Sequence, residues 1–152
     1  QNGIRDARWP GRLEVVGRNP FVLLDGAHNK ASARILAEAV KKIFKYKRLI
    51  LVLGVSKDKD VKGVLGELLP ESGAVILTKS KVLNRALDPM MIKEEILNMR
   101  HSVKEIILTC DTDEALNRAL SIASPEDLVL ITGSLFIVGE VKEHYSKCMN
   151  TV

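Results

Sequence analysis

Short, almost unbroken hydrophobic runs alternate along the chain with longer stretches in which apolar side chains recur every three or four positions. FVLLD at 21–25, RLILVL at 48–53, AVILT at 74–78, VKEIILT at 103–109 and DLVLIT at 127–132 are of the first kind. Each reads as a strand. The lack of in–out alternation implies burial on both faces, as in a parallel sheet covered by helices. A further run, LEVVG at 13–17, comes first, and a turn at Arg18-Asn19-Pro20 would lay it antiparallel to 21–25.

The longer stretches predict helices over 29–44, 61–69, 90–99 and 113–123, and a last one from Ser134. In the first, Ile35, Leu36, Ala39, Val40, Ile43 and Phe44 are expected on one inward stripe. In the fourth the inward set is Ala115, Leu116, Ala119, Leu120 and Ile122; the last carries Leu135, Ile137, Val138 and Val141. Asn29, Asp60, Asp88 (followed by Pro89) and either Asp111 or Thr112 suit N-caps. Pro70 stops the second helix. This alternation predicts an α/β fold: a Rossmann-like open, mostly parallel sheet of about six strands flanked by helices on both faces. Residues 1–152 are expected to form a single domain.

Composition narrows the function classes. Hydrophobic residues at 46% and charged residues at 28% fit a globular protein. Aromatics are only 4% and the net charge is a mild +4. No base-stacking surface or concentrated basic face is expected, so nucleic acid is not an expected partner. No apolar run approaches the ~20 residues that span a membrane, and no secretory leader pattern stands out. Cys110 and Cys148 are far apart and do not make a zinc-binding spacing with three histidines. A reducing, cytoplasmic setting is expected. The chain opens on Gln1 rather than methionine, as expected of a piece cut from a longer protein.

Ligands of open parallel sheets bind beyond the carboxyl ends of the strands. The residues found there are Asp25-Gly26-Ala27-His28-Asn29, Gly54 to Asp60, Lys79-Ser80-Lys81 with Asn84-Arg85, Cys110-Asp111, and Gly133-Ser134. Many have a plain structural role: Asn29, Asp60, Asp88 and Asp111 as caps, His101 and His144 as surface residues. Asp25 and His28 stand apart. A carboxylate ending a buried strand is costly unless partnered, and in that place it can bind ribose hydroxyls. Gly26 lets the backbone turn sharply into a helix N-terminus, which favours an anion. No GxGxxG and no GxxxxGK[ST] follows any strand, so this chain lacks its own phosphate cradle.

WPGR at 9–12, LLDGAHN at 23–29, GVSKDKD at 54–60, RAL at 85–87 and TGSLFIVGEV at 132–141 occur in this order. With them the chain resembles the carboxyl-terminal domain of folylpolyglutamate synthase and dihydrofolate synthase, in the Mur ligase superfamily. The resemblance implies an ATP-dependent, ADP-forming ligase. A folate or dihydropteroate carboxylate is converted to an acyl phosphate and then attacked by the amine of L-glutamate. The expected cofactors are ATP and Mg2+, the latter held mainly by an amino-terminal P-loop domain of the same protein. That domain is absent from this chain, so the piece alone is expected to be inactive. The expected partners are that domain, L-glutamate and a folate or pterin, in a monomer.

The resemblance also carries residue roles. Arg12 matches the arginine that reaches ATP phosphate, a task suited to a planar, bidentate guanidinium. Asp25 matches the nucleotide-binding aspartate, acting through the ribose. His28 and Ser134 match positions for amino-acid placement or cleft closure, with His28 also counted among the catalytic residues. Lys59 and Arg85 match possible substrate contacts; for Lys59 and Asp60 a loop-and-cap role is the alternative. No metal ligand is expected. Trp9 is expected to pack as an anchor. The family usually has proline where this chain has Lys30, which implies a less rigid loop around His28. The alternatives are a ligase domain for another acceptor, such as a peptidoglycan precursor, and a non-catalytic nucleotide-binding or interaction module of this fold. A nicotinamide dehydrogenase lacks its glycine fingerprint here.

Overall fold

The β-rich runs pair into one six-stranded sheet in a computed structural model that describes residues 12–82 and 84–151. The expected packing of Trp9 lies outside the described residues. The elements are β1 (Glu14–Arg18), β2 (Phe21–Leu24), α1 (Lys30–Ile43), β3 (Leu49–Leu53), α2 (Val61–Leu68), β4 (Ser72–Leu77), α3 (Pro89–Asn98), β5 (Ile106–Leu108), α4 (Thr112–Ile122), β6 (Leu128–Thr132) and α5 (Leu135–Met149). The strand order is β1-β2-β6-β3-β4-β5. β1 is antiparallel to β2, and the other pairings are parallel. The Rossmann-like α/β expectation is met.

Period-two alternation sorts the strand residues into two cores. Leu23, Leu51, Leu53, Leu77 and Leu130 face α1, α2 and α3, meeting Leu36, Val40, Leu65 and Ile92. Val22, Ile50, Val52, Ile76 and Ile131 face α4 and α5, meeting Leu116, Ala119, Ile137 and Val141. Burying a leucine or isoleucine this way is worth about 1.5–3 kcal/mol each, and both faces share the gain. The strands therefore read as continuous hydrophobic runs.

Helix placement follows chain direction. The moves from β2 to β3, β3 to β4 and β4 to β5 run one way across the sheet and put α1–α3 on one face. The return from β5 to β6 puts α4 on the other, as crossovers of a single hand require. β6 thus sits between β2 and β3, and its helix leaves on the opposite face from theirs. Its carboxyl end is a topological switch point, where such sheets open a crevice.

Some details differ from the sequence pattern. In α1 the buried residues are Ala33, Leu36 and Val40. Ile35 is 68% and Ile43 51% exposed. Each helical step turns about 100°, so a stripe centred on 33, 36 and 40 leaves 43 on its shoulder and turns 35, about 130° away, to the solvent side. β5 is short and keeps only Ile106–Leu108 of the expected run, because it is an edge strand paired with β4 alone. Pro70 does end α2, through a turn of 3-10 helix at Leu69–Glu71. Asp111, not Thr112, caps α4 by accepting from the Glu114 N–H. Among the described residues no helix is long and apolar enough to cross a membrane.

Candidate functional site

The loops leaving β2, β3, β4 and β6 are tied into one rim by backbone hydrogen bonds. Asp25 N donates to Ile131 O at 3.0 Å, Gly133 N to Ala27 O at 3.0 Å, Gly54 N to Thr132 O at 3.4 Å and Thr78 N to Leu53 O at 3.0 Å. The loops cross closely because Gly133 takes φ +107°. A Cβ there would lie 2.3 Å from the Gly54 carbonyl oxygen, so only glycine fits.

At one end of this rim the Asp25 carboxylate is engaged by backbone. Its Oδ2 accepts from Leu13 N at 2.9 Å and its Oδ1 from Ala27 N at 2.8 Å. Burial raises its pKa above the ordinary carboxylate value, while these two N–H groups and the Arg12 charge pull it back. Arg12 itself is exposed, immediately before Leu13, whose φ is +46°. The structure thus places Arg12 beside Asp25 at the carboxyl edge of β2, with a hydrogen bond fixing the residue that joins them.

His28 follows on the same loop. Its Nδ1 lies 2.9 Å from Gly26 O and its backbone N donates to Ser32 Oγ at 3.1 Å. A carbonyl only accepts, so Nδ1 is the donor in this contact. The turn into α1 is held by a reciprocal cap: Asn29 Oδ1 accepts from Ser32 N at 2.8 Å, and Asn29 N donates to Ser32 Oγ at 3.2 Å. This capping box does the fixing that a proline at position 30 would otherwise supply.

The other end of the rim opens into a small cleft between the loops after β3, β4 and β6. Ser56, Ser80, Arg85, Ser134, Phe136 and Ile137 line it. Ser134, only 7% exposed, caps α5 by accepting from Phe136 N at 3.1 Å. Arg85 is exposed, and its backbone is pinned by Lys57 N donating to Arg85 O at 2.8 Å. Ser134 and Arg85 therefore share one cleft. Lys59 does not line it; its ammonium pairs loosely with Asp58 at 3.8 Å on the turn before α2. Asp60 caps α2 by accepting from Gly63 N at 3.0 Å.

Sequence reasoning put Ser56 and Ser80 on the rim without a role and gave Glu140 none. The two serines lie in loops where serine is common. Glu140 sits in mid-helix with partners 28 to 60 residues away, Thr112 and Ser80 being the outermost. No local pattern signals such contacts. Among the described residues no group of three His, Cys, Asp or Glu could hold a metal ion.

A model of the Mur ligase glutamate ligase domain matches residues 11–135. The chain is 35% identical over 147 residues to the probable bifunctional folylpolyglutamate synthase/dihydropteroate synthase of Haloferax volcanii, which covers 97% of the chain and 17% of that protein. It is 34% identical over 138 residues to the UDP-N-acetylmuramyl-tripeptide synthetase of Lactobacillus delbrueckii subsp. bulgaricus, over 86% of the chain and 26% of that protein. Its fold is similar to that of Mycobacterium tuberculosis folylpolyglutamate synthase complexed with ADP, with a TM-score of 0.83 and 29% identity over 91% of this chain and 32% of that one. The chain thus spans a third or less of the length of these relatives.

Proposed function

We propose, from the premise that the chain belongs to the Mur ligase family as a glutamate ligase domain, that it forms the carboxyl-terminal lobe of an ATP-dependent, ADP-forming ligase. That ligase adds L-glutamate to a folate or dihydropteroate carboxylate. The observation that carries this reading is the rim itself. An exposed arginine is anchored beside a half-buried aspartate at one end, and a cleft holding Ser134 and Arg85 opens at the other.

The chemistry assigns each end a task. ATP transfers its terminal phosphoryl group to the acceptor carboxylate, giving an acyl phosphate and ADP. The amine of L-glutamate then attacks the acyl carbon, the amide bond forms and inorganic phosphate leaves. Phosphoryl transfer is mostly positioning and charge neutralisation. Arg12 meets phosphate oxygens in pairs. Each Asp25 oxygen accepts one backbone N–H and keeps capacity for a second donor, which we assign to the ribose hydroxyls. At the mouth of the cleft, Arg85 and Ser134 are assigned to the carboxylates of glutamate, while His28 orders the loop between the two ends. Lys59 is left to its turn.

Magnesium would neutralise phosphate charge in this reaction. We assign its ligands, with the phosphate cradle, to a partner lobe of the same protein. The chain alone is then inactive. A second reading keeps the nucleotide site and changes the acceptor to a muramyl peptide; the 34% identity to the tripeptide synthetase favours it. One experiment tests both. The full-length protein is assayed for glutamate-dependent ADP release with dihydropteroate, with a folate monoglutamate and with a UDP-muramyl dipeptide. Turnover with a pterin acceptor supports the first reading, turnover with the muramyl acceptor alone supports the second, and none with any sinks both.

A further inference from the structure

Glu140, on α5, is joined to the loop after β4 and to the first residue of α4. Its Oε1 accepts from Ser80 Oγ at 2.8 Å and from Lys81 N at 2.9 Å, and its Oε2 accepts from Thr112 Oγ1 at 2.9 Å. Ser80 is 6% exposed and Thr112 fully buried, so water does not readily replace the carboxylate. Hydrogen bonds to an ionised acceptor are the stronger kind.

The connection continues toward the cleft. Ser80 Oγ accepts from Val82 N at 3.0 Å, and Arg85 N donates to Val82 O at 3.4 Å. Beyond Arg85 the chain is pinned again, by Leu87 N donating to Val55 O at 2.9 Å and by a bridge between Ser56 and Ala86. The residue that lines the cleft thus hangs between two fixed points. One belongs to the β3 loop. The other is a single carboxylate on the helix that Ser134 caps. The nearby pair of Lys81 Nζ with Asp113, at 3.1 Å, is partly exposed and adds little.

We propose that Glu140 is a positioning residue: through Ser80 and Val82 it holds Arg85 in register with Ser134, and so sets the affinity of the cleft for an amino acid bearing carboxylates. This rests on the ligase reading above. Glu140 touches neither nucleotide nor acceptor in this account, so its loss acts on one substrate only.

The test compares Glu140→Ala, Glu140→Gln and Arg85→Ala in the full-length protein. Glu140→Ala raises KM for L-glutamate by about tenfold or more and leaves KM for ATP and kcat within about twofold. Glu140→Gln keeps an oxygen for Ser80 and Lys81 and a donor for the Thr112 hydroxyl, and restores most of the affinity. Adding Arg85→Ala to Glu140→Ala costs no more than the larger single effect, since both act on one contact. An unchanged glutamate KM in Glu140→Ala, or a uniform loss in kcat and both KM values, overturns the proposal. If the wild type turns over no glutamate, the ligase reading has failed instead. Hydrogen exchange then decides whether Glu140 holds the loop: faster exchange at Lys81, Val82 and Arg85 in Glu140→Ala, with β3 and β6 unchanged, supports it, and equal protection refutes it.

Discussion

The backbone N–H of Leu13 donates to Oδ2 of Asp25 across 2.9 Å, while the Ala27 N–H takes Oδ1 at 2.8 Å. Leu13 stands at φ +46°, a left-handed backbone that costs a leucine on the order of 1 kcal/mol or more. The hydrogen bond holds that conformation in place. Arg12 precedes it directly, so the aspartate fixes where the arginine's backbone sits. One carboxylate is tied to two jobs, closing the β2 turn and aiming the chain ahead of β1.

Asp25→Ala leaves two backbone donors without their acceptor, and the expected loss is about 2–3 kcal/mol. Asp25→Asn retains one acceptor oxygen and loses less. The charge adds a pH dependence. Burial sets the folded-state pKa of Asp25 above its ordinary 3.8. The folded chain therefore keeps this proton at pH values where the unfolded chain has released it. That contribution is fully present below 3.8 and is lost as pH rises through the folded-state pKa. Urea denaturation across this window should show wild-type stability falling relative to Asp25→Asn as pH climbs. A difference that grows in the wild type's favour would contradict the assignment of burial as the dominant cause.

Arg12 is exposed and lies outside both cores, so the phosphate role proposed for it can be tested without loss of packing. Arg12→Ala in the full-length protein is expected to lower kcat by about 100- to 1000-fold, with stability changed by less than about 0.5 kcal/mol. Arg12→Lys should recover only part of the rate, because an ammonium lacks the planar fork that makes two parallel bonds to phosphate oxygens. Steady-state rates set beside melting curves separate the two effects. Wild-type turnover in Arg12→Ala would remove this residue from the phosphate site.

The inner strands were legible because each runs through both cores and leaves no polar gap; LILVL and LVLIT announce β3 and β6 without help from any neighbour. The caps were legible too, since Asn29, Asp60 and Asp88 each satisfy a donor within three residues. Strand order was not, and it decides that β6 lies between β2 and β3 and makes the switch point. Asp25 could be singled out as a carboxylate in need of partners. That one partner would be Leu13 N depends on the β1–β2 pairing. Glu140 was invisible because its donors come from the loop after β4 and from the start of α4.

Two glycines offer a matched pair of substitutions. At Gly133 a Cβ would approach the Gly54 carbonyl oxygen to 2.3 Å, on a backbone with φ +107°. Neither backbone can yield without breaking the hydrogen bond from Gly133 N to Ala27 O. Gly133→Ala should cost about 3 kcal/mol or more and disturb the rim. At Gly139, inside α5, a Cβ would meet nothing within 4 Å. Gly139→Ala should stabilise by about 0.5–1 kcal/mol. Denaturant midpoints of the two variants should move in opposite directions; equal shifts would contradict the strained geometry at Gly133.

Asp127 tests whether stability and the site can be separated. Its carboxylate is 5% exposed, and Oδ2 accepts from Arg48 Nη2 at 3.2 Å and from Ser124 N at 2.9 Å. The same Nη2 donates to Ile122 O at 2.7 Å, so one arginine and one aspartate close the α4–β6 connection against the start of β3. Arg48 is partly open to water, which lowers the value of the ion pair but not that of the Ser124 bond. Asp127→Ala should therefore cost about 1–3 kcal/mol. The residue precedes β6 while the rim follows it, a separation of about 17 Å along a five-residue strand. Nucleotide affinity and glutamate KM should stay at wild-type values wherever the variant is folded. A change in either at a temperature well below its melting point would mean that the two edges of the sheet are coupled, and that the rim is not set by its own hydrogen bonds.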